Sequence, residues 1–307
     1  MNAFAKAAEL AMLVFMVSNM LAFGMRLSPR EVLEPLKDFR LTLKAFVANF
    51  VIVPLVAYAL TSVFSLGAGY AVALLLLATS GGDPGVTKAS QIAKGDPAYT
   101  LATMIGLQVV TVFYMPTVLP WLLSGVSVDP VKIAKPLVIF LLLPLSVGFL
   151  FRGLWTGLAN RLWGPLDKFS SVVLALAIGL FIYVHFAELR GAIRSWMLPA
   201  SFIFAMVALL TGFTLGGPRK IRRSDLALQT LVRGISAAMM VGITNFPNDP
   251  ELIVGIILCA VTIILTALIV SAFWLRARNS QAMAPDKAIP LSRGAPAVPS
   301  DLKPFRE

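Results

Sequence analysis

Apolar residues run along this chain in long blocks, and short clusters of lysine, arginine, glycine and proline separate them. A block of about 20 apolar residues crosses the hydrocarbon of a bilayer as one helix, since each residue adds about 1.5 Å. Nine spans are predicted, at roughly 7–26, 40–63, 69–95, 97–124, 131–152, 167–188, 196–216, 225–246 and 250–275. The first is no cleaved signal: its basic residues, Arg26 and Arg30, follow the apolar run, and a small-residue cleavage site is missing. Two spans are impure. The third is interrupted by Ser80-Gly81-Gly82-Asp83-Pro84-Gly85-Val86-Thr87-Lys88. The eighth carries Gln229, Thr230, Arg233, Gly234, Ser236 and Thr244 among its apolar positions.

Glycine and proline at that density break a helix. A broken helix in hydrocarbon frees N–H and C=O groups that lipid cannot bond, so such backbone survives only inside protein or beside a polar cavity. Asp83, Lys88 and Arg233 are expensive at membrane depth, at about 2.5–3.5 kcal/mol each on insertion scales, and mark a site. The two broken spans hold matching places, each followed by a proline-containing turn (Gly95-Asp96-Pro97; Pro247-Asn248-Asp249-Pro250) and one further span. That is the pattern of an inverted repeat whose interrupted helices cross near the midplane. Spans 1–4 then pair with spans 6–9, and span 5 connects them.

The second half of each broken helix is expected to start near Val86-Thr87 and Ile235-Ser236. Its free N–H groups and positive dipole end suit an anion. Lys88 and Arg233 add two positive charges there and Asp83 one negative charge, so a small organic anion is the expected ligand. The predicted substrate contacts are Gly82, Asp83, Pro84, Thr87, Lys88, Arg233, Gly234 and Ser236. Asp83 is expected to hold Lys88 or Arg233 in place while the site is empty.

Composition narrows the class. The chain is 58% hydrophobic and 13% charged, with mean hydropathy +0.84, which excludes a soluble domain. Its net charge of +11 is spread between apolar blocks rather than gathered with aromatics, so no nucleic-acid partner is expected. The partner is the lipid bilayer. On a nine-span layout one side carries fifteen lysines and arginines, among them Arg26, Lys94, Arg152, Arg219 and Arg278, and the other five. The positive-inside rule then places the N-terminus outside and the C-terminus in the cytoplasm of an inner-membrane protein. Residues 279–307, rich in Pro, Ala, Ser and charge, read as a disordered tail. The single cysteine, Cys259, excludes an internal disulfide, and His185 is the single histidine. No nucleophile–base pair or metal cluster is visible, so neither an enzyme nor a cofactor is expected.

Several stretches resemble the bile acid:sodium symporter family. Gly81 to Thr87, then Ala93-Lys94-Gly95-Asp96, are similar to its Pro-Gly-Gly-Thr-Ala-Ser-Asn run and later Ala-Arg-Gly-Asn. Phe23-Gly24-Met25-Arg26-Leu27 resembles its Phe-Gly-Met-Gly-Leu, and Ala48-Asn49-Phe50-Val51-Ile52-Val53-Pro54 its Ala-Gln-Phe run ending in Pro. Gln229 to Trp274 lines up with its final crossing helix and last helix. The resemblance covers roughly residues 10–275. It implies an all-α polytopic transporter with a core domain holding two crossing broken helices, a panel domain, substrate between them and two sodium sites behind the crossing. At the matching sodium positions this chain has Val86, Thr87, Thr100 and Met104 for Ser, Asn, Ser and Thr. Gln229 stands for the Glu that serves both sites, Arg233 for a Gln, and Asn49 keeps an amide. The candidate ion-coupling residues are thus Asn49, Asp83, Thr87, Thr100 and Gln229, but lost oxygens and gained cations argue against sodium. The expected function is alternating-access secondary transport of a small organic anion, with Arg233, helped by Lys88, in the role of the ion. The alternatives are a sodium-dependent symporter of the same family and a membrane sensor that binds without transport.

Overall fold

The computed structural model describes residues 3–26, 38–123, 129–246 and 249–283. All regular secondary structure among the described residues is helical. We number its helices α1 Ala3–Arg26, α2 Phe39–Val63, α3 Ala68–Thr79, α4 Gly85–Ile92, α5 Pro97–Leu122, α6 Pro130–Leu154, α7 Thr156–Val184, α8 Phe186–Arg194, α9 Met197–Leu215, α10 Lys220–Leu231, α11 Ile235–Asn245 and α12 Pro250–Met283. Among the described residues eight helices, taking α10 with α11 as one, are long and apolar enough to cross a membrane; α3 is a shorter apolar helix. The protein is an all-α polytopic membrane protein.

Local chemistry sets where these helices begin. Three long helices open on Asp-Pro. The Asp96 carboxylate accepts from the N–H groups of Ala98 and Tyr99, both at 3.1 Å, Asp129 from Val131 at 2.9 Å and Asp249 from Leu252 at 3.1 Å. The prolines that follow need no N–H at the first helical position. Proline also shapes α2. Its turn Ala48–Ile52 is a π-helix, and Pro54 follows after Val53. Pro54 has no N–H to give to the carbonyls of Asn49 and Phe50, so both must find partners elsewhere.

Helices α1, α6 and α7 pack on one another. Gly24 of α1 meets Gly148 of α6 so closely that a Cβ on Gly24 would stand 2.8 Å from the Gly148 Cα. The other long helices gather around the two interrupted pairs, α3–α4 and α10–α11. Helices α9 and α10 meet at Gly212, where a Cβ would lie 2.6 Å from the Ala227 Cα. Two boundaries differ from expectation. Helix α7 begins at Thr156 rather than near 167, running through Gly157, Gly164 and Pro165 without a break. Helix α12 runs to Met283, past the expected start of the tail; 284–307 lie outside the described residues, as do Arg30 and Pro247-Asn248.

Candidate functional site

The two interruptions fall where the sequence places them and touch. Ser80 to Pro84 separate α3 from α4, and Val232 to Gly234 separate α10 from α11. The Gly234 N–H donates to the Ser80 carbonyl at 3.0 Å. Unwound backbone is satisfied inside the protein, as hydrocarbon requires. The Gly81 N–H, for example, donates to the Thr111 hydroxyl of α5 at 2.8 Å. Gly82 has φ +77°, and a Cβ there would lie 2.4 Å from the Met104 carbonyl oxygen, so this turn demands glycine twice over.

Behind the crossing lies Arg233, fully buried. A guanidinium carries five N–H donors, and Arg233 makes five hydrogen bonds, each to an oxygen. Nε donates to the Leu77 carbonyl at 3.1 Å. Nη1 donates to Asn49 Oδ1 and to the Thr230 carbonyl at 3.4 Å. Nη2 donates to the Asn49 carbonyl at 3.2 Å and the Ala78 carbonyl at 2.6 Å. Leu77 and Ala78 close α3 and Thr230 closes α10, so the cation sits at the negative ends of both first half-helices. The Asn49 carbonyl is one of the two that Pro54 strands; the Tyr114 hydroxyl takes the other, on Phe50.

In front of the crossing lies Asp83. Its carboxylate accepts from the Gly85 N–H at 2.8 Å and is also hydrogen-bonded by the backbone of Ile235. These two residues open α4 and α11. One carboxylate thus serves the positive ends of both second half-helices. Asp83 was expected to hold Lys88 or Arg233; it holds neither, because two converging helix N-termini already supply its donors.

A cavity of about 480 Å³ opens against this front face, between α1 and α7 on one side and α4, α11 and α12 on the other. It runs from Met12 and Phe181 to Arg26 and Trp163. Asp83, Pro84, Thr87, Lys88 and Ser236, all predicted contacts, line it; Gly82, Arg233 and Gly234 do not. The glycines are needed for the turn and the helix contact, and Arg233 is drawn behind by Asn49 and by the carbonyls that end α3 and α10. Lys88 is exposed and donates to the Ser171 hydroxyl of α7 at 3.2 Å. Asn19, not predicted, lines the cavity with a buried side-chain nitrogen that has no partner, and the Ser236 hydroxyl is likewise unpartnered. Its signal in the sequence is one amide in an otherwise apolar span, the same signal that Asn49 gives.

The remaining residues expected to couple an ion make hydrogen bonds within the protein. The Thr87 hydroxyl donates to the Pro84 carbonyl at 2.9 Å, and the Thr100 hydroxyl to the Ser90 hydroxyl at 3.1 Å. Gln229 Nε2 donates to the Thr100 carbonyl.

Comparison with known proteins gives one finding. The model of the sodium bile acid symporter family matches residues 12–216, which is more than half of the chain and covers the later part of α1 and all of α2 through α9. The match stops before α10, so Gln229 and Arg233 lie beyond it. No curated protein matches.

Proposed function

Because this chain belongs to the sodium bile acid symporter family, we propose that it is a secondary transporter of a small organic anion that works by alternating access without a coupled sodium ion. The observation that carries this reading is the five-bonded guanidinium of Arg233 behind the crossing. The residues present do not fit sodium there. A sodium ion takes several hard oxygens, and a carboxylate usually offsets its charge. Val86 and Met104 offer no side-chain oxygen, Gln229 is neutral, and Asn49 Oδ1 is already taken by Arg233. A second cation beside a buried guanidinium also meets like-charge repulsion in a low dielectric.

The anion is supported by the donors that line the cavity: the Lys88 ammonium, the Asn19 amide and the Ser236 hydroxyl. The N-termini of α4 and α11 are not among them, since Asp83 occupies that place. Apolar residues such as Phe15, Phe181 and Met239 face the ligand's body. The cavity reaches Arg26 and Trp163, at the end where basic residues cluster, which in the expected topology is the cytoplasmic side.

The experiment is uptake into reconstituted vesicles of labelled octanoate, phenylacetate and cholate, with sodium present or replaced by choline. Equal uptake under both conditions is expected. A saturable sodium curve with no uptake in choline overturns the reading.

A further inference from the structure

A second polar cluster, separate from the cavity, lies one helical turn before Gln229. Asp225 of α10 is fully buried. Its partners are neutral. Ser90 of α4 donates a hydroxyl to Oδ1 at 2.8 Å, and the Asp96 N–H, in the turn between α4 and α5, donates to Oδ2 at 2.8 Å. The Ser90 hydroxyl in turn accepts from Thr100 Oγ1 at 3.1 Å, and the Thr100 carbonyl accepts from Gln229 Nε2. Two hydrogen bonds at Thr100, one through its hydroxyl and one through its carbonyl, therefore bring the carboxylate's network to the amide one turn before Arg233. At its inner end Gln229 Oε1 is buried and has no donor. At its outer end Asp96 is a third exposed and pairs with Arg222 at 3.3 Å.

We propose that Asp225 is the proton-binding site of this carrier and takes the coupling role that sodium leaves vacant; this rests on the sodium-free reading above. The two hydrogen-bond partners of Asp225, a hydroxyl and a backbone N–H, also suit a protonated carboxyl, since the hydroxyl can turn to accept and the N–H can keep donating to the other oxygen. The proton comes from water through Asp96 and adds to Oδ1, taking Asp225 from one negative charge to none. The hydrogen bonds then reverse. The new O–H donates to Ser90 Oγ, and the Ser90 hydroxyl to Thr100 Oγ1. The displaced Thr100 hydroxyl needs an acceptor, and Gln229 Oε1, on the amide already bound to Thr100, is the one that lacks a donor. Packing favours a proton over a metal ion. Gly95 backs the carboxylate so closely that a Cβ there would lie 1.9 Å from Oδ1 and 2.3 Å from Ser90 Oγ, which leaves no room for an ion's further ligands.

The charged and titratable groups around the site are few. Asp96 faces it from the turn and Tyr99 from α5, with Arg278 of α12 near enough to act through its charge. Arg222, on Asp225's own helix, lies over the Tyr99 ring at 4.4 Å. Helix α2 presents Leu41 and Ala45, while its Arg40 and Lys44 are exposed, and Asp38 before it acts on Tyr99. Lys94 is turned to Asn279 at 2.7 Å.

The test uses purified protein in sodium-free buffer, read by infrared difference spectroscopy against pH, with no substrate added. The wild type is expected to show the carbonyl band of a protonated carboxylic acid that titrates, and Asp225→Asn to lose it. Ser90→Ala keeps the band and shifts its midpoint, which a purely structural carboxylate would not show. A titrating band that survives in Asp225→Asn, or is absent from the wild type, overturns the proposal whatever the choline experiment gives. In choline vesicles, with the panel anion that the wild type takes up, acid outside is expected to speed uptake by the wild type. In Asp225→Asn that acceleration disappears while exchange persists; unchanged acceleration also overturns the proposal.

Discussion

The two faces of the helix crossing solve one problem with opposite charges. Behind it, the first half-helices end in carbonyls, and Arg233 answers with a guanidinium that leaves no donor unused. In front, the second half-helices begin with N–H groups, and Asp83 answers with a carboxylate. The back is sealed, whereas the front borders a cavity. A break in a membrane helix thus creates two kinds of unmet demand. Here resident side chains meet both.

The comparison breaks most severely at Arg233. Arg233→Met strands carbonyls of α2, α3 and α10 together. Each buried polar group left unpaired costs about 1–3 kcal/mol, so several at once exceed what most membrane folds can lose. Thermal unfolding in detergent is expected to shift down strongly or the protein to aggregate, with Arg233→Lys intermediate because ammonium has three donors rather than five. A Met variant that melts like the wild type would mean that the back face does not hold the crossing.

Asp83→Asn tests the front. The amide oxygen still accepts from Gly85, but a charged acceptor becomes a neutral one, a difference of about 1 kcal/mol. Melting should fall far less than in Arg233→Met, while uptake drops. Wild-type uptake across pH would remove Asp83 from the mechanism.

The smallest structural effect is expected at Lys88, which is exposed and donates to the Ser171 hydroxyl. Lys88→Gln should change stability by less than about 0.5 kcal/mol, yet raise the concentration of anion needed for half-maximal uptake. An unchanged uptake curve would separate Lys88 from the ligand.

Much of this was legible from the sequence. Span lengths and the two breaks follow from apolar runs and from Gly and Pro, which act locally. The unusual charges at Asp83, Lys88 and Arg233 were visible for the same reason. Their pairing was not, because it depends on which side of a crossing each side chain leaves. Two charges five residues apart on one helix start, Asp83 and Lys88, ended up meeting helix N-termini and a neighbouring serine rather than each other. Asp225 escaped notice because it stands at the first residue of a predicted span, where a carboxylate reads as interfacial. Its spacing of four from Gln229 was the available sign, since residues one turn apart share a helix face. Helix α7 was under-read at its start because Gly157, Gly164 and Pro165 look like a loop when tertiary packing is unknown.

Pro54 reaches further than its own helix. A proline that strands the Asn49 carbonyl, and an arginine that rescues it, are tied together although 179 positions apart. A substitution at either therefore changes what the other must do. Building a metal-ion site behind the crossing would take several coordinated changes: removing Arg233, placing an acid at Gln229 and adding side-chain oxygens at Val86 and Met104. No single substitution opens that space to an ion, because the guanidinium already fills it with five bonds.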